Sequence, residues 1–97
     1  MNNEIINRFK KLQKTLPILD FGKSERPNKR IFVKLLIKGK PKTIHFGLKK
    51  PSAFVDHHDP ARRKNYLTRS AGIRDGQGKL TKDNILSPNY WSRVILW

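Results

Sequence analysis

The chain has 97 residues, with 22 Lys and Arg against 7 Asp and Glu, a formal net charge of +15 and no cysteine. That length suits one domain with one modest hydrophobic core. Disulfides, thiolate nucleophiles and Cys-type zinc sites are excluded, and no apolar run of about 18 residues is present to span a bilayer. A charge surplus this large opposes compaction unless a partner neutralises it, and it exceeds what solubility alone requires. It points to a polyanion, nucleic acid before an acidic protein, with no membrane partner expected. The absence of cysteine suits any redox compartment, with the reducing cell interior as default. Met1–Leu16 lacks the apolar core of a secretory signal. Glu4 and the scarcity of Ser and Arg argue against an organelle presequence.

Asn3–Leu16 reads as an amphipathic helix, because Ile5, Ile6, Phe9, Leu12 and Leu16 recur at helical spacing and Pro17 ends it. Pro17–Arg30 has no periodicity and reads as a basic linker, with Ile18, Leu19 and Phe21 able to pin it to a core. Ile31–Lys38 is the clearest strand. Ile31, Val33, Leu35 and Ile37 fall on one face, Phe32, Lys34, Leu36 and Lys38 on the other. Gly39-Lys40-Pro41 signals a turn. Lys42–Leu48 follows as a second strand, with Ile44 and Phe46 opposite Thr43 and His45. Such a hairpin is unstable alone, so helices are expected to cover its apolar face.

Gly47–His58 reads as an irregular loop. Asp59-Pro60 then places Asp at an N-cap and Pro at the first helical position, starting a helix through Ala71 that stops near Gly72. Arg74–Asn84 reads as a loop. Ser87-Pro88 repeats the start signal for a short final helix, Asn89–Trp97, whose Tyr90, Trp91, Val94, Ile95 and Trp97 form core. The expectation is an α+β fold: N-terminal helix, β-hairpin, then two helices packed on the hairpin. Residues 1–26 form an amphipathic helix and basic linker, residues 27–97 a single small α+β domain.

Three clusters bear on chemistry. Arg62, Arg63, Lys64 and Arg69 make the last long helix basic. Arg62, Tyr66 and Arg69 share one face at i, i+4 and i+7, an arrangement in which guanidiniums grip phosphates while the ring stacks on a base or sugar. The competing reading makes Tyr66 and Leu67 core and leaves the arginines solvated or paired with Asp56 and Asp59. The run Lys23–Lys50 holds ten Lys and Arg. Lys34, Lys38, Lys40, Lys42, Lys49 and Lys50 would line the hairpin and its flank, where they suit either a nucleic-acid backbone or protection of a sheet edge. Lysine dominance favours backbone attraction over base reading. Asp56-His57-His58-Asp59, with His45 upstream, has the residue types of a metal-dependent nuclease. Contiguous ligands rarely converge on one ion, however, and Asp59 already has a capping role. No metal, cofactor or enzymatic activity is expected, and a small nuclease is the weakest alternative.

Three separated blocks occur in order. The first is His45-Phe46-Gly47 and the second runs from Asp56-His57-His58-Asp59-Pro60 through Arg62-Arg63, Tyr66 and Arg69. The third is Tyr90-Trp91-Ser92-Arg93 through Leu96-Trp97. Over about Ile31–Trp97 the chain resembles a family of small basic proteins encoded by nucleocytoplasmic large DNA viruses and some large tailed phages. It departs from that pattern at Ser70, where a second His often follows the last Arg of the helix. The resemblance carries no assigned activity. It implies a viral origin, with location in the virion or infected-cell interior. Taken together, the expectation is a genome-associated or packaged protein that binds nucleic acid, DNA rather than RNA, mainly through phosphate electrostatics. The alternative is a minor capsid or assembly protein that meets acidic virion proteins.

Overall fold

A computed structural model describes residues 1–50 and 52–97. Its elements are mixed α and β, as expected, and the chain divides into two compact units, Met1–Lys50 and Pro51–Trp97.

In the first unit, helix α1 spans Asn3–Leu12. The Asn2 side chain caps it by accepting the Ile5 N–H at 2.9 Å, which satisfies one of the free donors of the first turn. The periodicity runs to Leu16, yet the helix stops at Leu12. Pro17 disfavours helical backbone in the residue before it, and the last turn tightens into i to i+3 bonds such as Thr15 N–H to the Leu12 carbonyl at 3.1 Å. Ile5 and Phe9 are fully buried.

The expected linker contains a strand. Strand β1, Ile18–Lys23, pairs antiparallel with β2, Ile31–Ile37, which pairs in turn with β3, Lys40–Phe46, so the hairpin is part of a three-stranded meander. A bulge at Leu19 shifts the register of β1: Ile18 faces Leu35, but Asp20 already faces Lys34. That extra residue breaks the period-2 pattern by which a strand is recognised. The turn also lies one residue earlier than the Gly39-Lys40-Pro41 signal implied. Ile37 pairs with Lys40, which leaves Lys38 (φ 52°) and Gly39 (φ 78°) as a two-residue turn with both φ positive. Lys40 and Pro41 thereby join β3, an outer strand, where a missing N–H costs no ladder bond.

One face of the sheet carries Ile31, Val33, Leu35, Ile44 and Phe46, all buried. Phe9 of α1 meets this face, stacking on Phe21 at 4.3 Å between centroids and tilting against Phe46 at 6.3 Å. A fully buried side chain of this size stabilises by about 1.5–3 kcal/mol, which is why the N-terminal helix belongs with the sheet.

In the second unit, a short helix α2, Phe54–His57, occupies part of the expected loop. Helix α3 is Pro60–Ser70 and α4 is Pro88–Trp91, the latter continuing as a π-helical turn Ser92–Leu96. The Asp-Pro and Ser-Pro starts hold. Asp59 accepts from Ala61 N–H at 3.0 Å, and Ser87 accepts from Asn89 N–H at 3.2 Å. Val55, Trp91, Ile95 and Leu96 are buried, and the Trp91 indole donates to the Ile85 carbonyl at 2.7 Å. Within the loop Arg74–Asn84, Arg74 and Leu80 form a bridge. The Asp75 carboxylate closes it by accepting from Gln77 and Lys79 N–H at 2.8 and 3.0 Å. Those main-chain donors hold its pKa below the usual carboxylate value.

Candidate nucleic-acid interface

The two units carry unequal charge. Met1–Lys50 has 14 Lys and Arg against 3 acids, net +11, and Pro51–Trp97 has 8 against 4, net +4. The hairpin from Ile31 to Phe46 contains no carboxylate. Its lysines do not form a single row. Lys40 and Lys42 oppose Ile37 and Leu35 and thus lie on the side of the sheet that packs on α1, beyond its buried part. Lys34 opposes Thr43 and Asp20 on the other side. Lys38 sits at the tip. All four are exposed, as are Lys49 and Lys50, and Lys49 Nζ donates to the Ser24 carbonyl at 3.4 Å.

Lys38 breaks a local rule. A non-glycine residue with left-handed backbone costs about 1–2 kcal/mol, and turns of this type favour Asn or Asp at that position. A lysine held there gains nothing for the turn, and it stands exposed at the hairpin tip, two residues before Lys40.

On α3 the four cations divide. All four are exposed, and Arg62, Lys64 and Arg69 face solvent along the helix. Lys64, Asn65, Thr68 and Arg69 line one shallow depression, and Tyr66, Arg69, Ser70 and Ile73 line another. Arg63 is engaged in structure: its guanidinium lies 5.0 Å over the Phe54 ring, and Nε donates to the main-chain oxygen of Trp97 at 2.8 Å. Tyr66 is half-buried and stacks on Trp97, with centroids 4.2 Å apart and planes 8° apart. That partner occupies one face of the phenol. Burial raises its pKa, against a side-chain hydrogen bond with Ser92.

The Asp56–Asp59 cluster has local tasks. Asp56 accepts from Ala53 N–H at 3.0 Å, and His57 Nδ1 accepts from Asp59 N–H at 2.9 Å. His58 (φ 55°) caps α2 with left-handed backbone, and the Asp59 carboxylate caps α3. Among the described residues no three His, Asp or Glu side chains gather as a metal site, and no helix is long and apolar enough to cross a membrane.

Arg93, which the sequence did not single out as a site residue, closes the end of α3. Its guanidinium donates to the Leu67 carbonyl and to Ser70 Oγ, both at 2.6 Å. Asn89 donates to the Ser70 carbonyl at 2.9 Å and to Thr81 Oγ1 at 3.0 Å. Arg26 and Lys29, part of the basic run Lys23–Lys50 but not individually marked as site residues by the sequence, also bear on the site. They lie in the turn between β1 and β2, close enough to act electrostatically on His45, and no periodicity marks residues in a turn.

Fold and surface thus define a small, strongly basic α+β protein with a lysine-rich hairpin. A family model covers residues 19–70, from β1 through the end of α3, and the chain belongs to that family of unknown function (DUF5754). No curated protein and no solved structure matches.

Proposed function

We propose that this chain binds nucleic acid mainly through the phosphate backbone, DNA in preference to RNA, as a genome-associated or packaged protein of a large DNA virus or phage. The observation that carries this reading is the net +11 of residues 1–50, with Lys38, Lys40 and Lys42 exposed around a hairpin free of carboxylates. Lys34, Lys49, Lys50 and the exposed Arg62, Lys64 and Arg69 extend the cationic surface of their own units. Neutralising phosphates releases counterions, so affinity for a labelled DNA duplex falls linearly on a log–log plot against salt, with a slope of about −0.9 per contacted phosphate. Replacing Lys38, Lys40 and Lys42 together by Gln makes that slope shallower by roughly 2–3. A slope near zero for the unmodified chain overturns the reading.

A minor capsid or assembly role is the second reading. It is favoured by exposed Ile73, Leu80 and Leu86 in the second unit, each more than two-fifths accessible. Retention with the shell after nuclease treatment of particles supports it. Release together with the digested genome supports nucleic-acid binding.

A further inference from the structure

The side of the sheet turned away from α1 holds two aromatic rings. Phe32 of β2 and His45 of β3 are directly opposed partners, with ring centroids 6.4 Å apart and planes 48° apart. Both are partly exposed. Phe32 leans over Gly22 of β1, where a Cβ would stand only 2.9 Å from a ring carbon. The glycine therefore lets the ring lie against the sheet. His45 is fixed in orientation: its Nδ1 hydrogen-bonds Ser24 Oγ at 2.7 Å, and that oxygen also accepts from Arg26 N–H at 3.1 Å. Partial burial, followed by the charge of Arg26, lowers the His45 pKa, against a smaller opposing pull from Glu25. Burial and the Arg26 charge both favour the uncharged form of the imidazole.

Cations stand on both sides of the pair. Lys34 follows Phe32 on the same face of β2 and is exposed. Arg26 and Lys29 act on His45 from the β1–β2 turn, and Lys49 reaches the Ser24 carbonyl. The acids nearby are Asp20, which opposes Lys34 and accepts the Phe21 N–H at 2.8 Å, and Glu25. An accessible aromatic pair bracketed by ammonium and guanidinium groups fits unpaired bases with their phosphates, because every base presents a π-face. A duplex buries those faces in its own stack, and an apolar protein partner would leave the flanking charges unmatched.

We propose that this outer sheet face stacks the unpaired bases of a single-stranded nucleic acid on Phe32 and His45, with Lys34 on one side and Arg26, Lys29 and Lys49 on the other holding its phosphates. The proposal rests on the nucleic-acid reading above and deepens it by naming a single-strand site.

The test compares fluorescently labelled oligo-dT, oligo-rU and a DNA duplex of equal length, titrated with the full chain and with Phe32→Leu and Phe32→Tyr. Leucine keeps apolar packing over Gly22 and removes the π-face, whereas tyrosine keeps both. Loss of one stacked base predicts a drop of roughly 5- to 150-fold in single-strand affinity for Phe32→Leu. Phe32→Tyr should stay near the unmodified chain, and both variants should keep the duplex affinity. The oligo-dT and oligo-rU arms report which sugar is preferred. Unchanged single-strand binding by Phe32→Leu, or an equal loss on strand and duplex, overturns the stacking site, while salt-dependent duplex binding by the unmodified chain leaves the broader reading standing. Failure of the unmodified chain to bind any of the three probes removes both.

Discussion

At Lys38 the backbone and the side chain have opposing requirements. The turn favours Asn, and the charge favours Lys. Lys38→Asn should therefore stabilise the protein by about 1 kcal/mol, read as an increased urea midpoint, while removing one cation from the hairpin tip. A variant that is both less stable and unchanged in nucleic-acid affinity would show that the lysine serves the turn. His45 makes a pH prediction. Its imidazole binds a proton less tightly in the folded chain than in the unfolded one. The resulting stability is fully present above the ordinary histidine range and is lost as pH falls through the lowered folded value. Urea midpoints measured at about pH 7.5 and about pH 5 should differ, with His45→Gln shrinking the difference; an undiminished difference in that variant would place the dependence elsewhere. Arg63 gives the contrast on α3. Held over Phe54 and against Trp97, it should cost about 1 kcal/mol of stability when replaced by Ala. The exposed Arg62 should cost almost nothing in stability.

The elements differ in how plainly the chain announces them. Asp59-Pro60 and Ser87-Pro88 each combine a capping side chain with a proline that needs no donor, and both helices begin there. The alternation through Ile31–Ile37 gives β2 its buried face directly. β1 was not legible as a strand. The Leu19 bulge inverts the alternation midway, and Asp20 and Gly22 disfavour strands locally; only pairing with β2 decides the conformation. The sequence signals the hairpin turn one residue late, because Gly39 marks it while nothing in the sequence marks Lys38 as left-handed. Of the candidate site, the cationic residues were readable from composition, but not that Lys34 faces away from Lys40 and Lys42. Tyr66 was readable both as base-stacking and as core, and the ring of Trp97 that stacks on it comes from a distant stretch of chain. Arg93 shows the same gap. Its guanidinium donates to the Leu67 carbonyl and the Ser70 hydroxyl in the last turn of α3, a favourable position for a cation at a helix C-terminus. Arg93→Ala should destabilise the second unit by about 2 kcal/mol, and Arg93→Lys should restore only part of this because an ammonium lacks the planar fork. Equal stability of the Ala variant in thermal melts would refute that role.

Across the whole molecule the surplus of positive charge is itself a structural load. The net +15 repels itself at low ionic strength, and the Debye length shrinks from about 30 Å at 0.01 M salt to about 8 Å at 0.15 M. The Tm should therefore rise as salt is added over that range, and rise further with a short DNA duplex at constant ionic strength. A Tm that falls with salt would mean that ion pairs outweigh the repulsion.

Pro41 and the Leu19 bulge lie on the two outer strands. A cationic protein that coats a long polymer meets its own copies at local concentrations far above those in bulk solution, and open strand margins then invite fibre growth. One margin here lacks a donor and is studded with ammonium groups, and the other is kinked out of register. Dense coverage of nucleic acid, as proposed above, is thereby compatible with freedom from cross-β assembly. Replacing Pro41 by Thr should bring thioflavin-positive aggregates in the presence of DNA, with soluble protein expected from the unaltered chain under the same conditions.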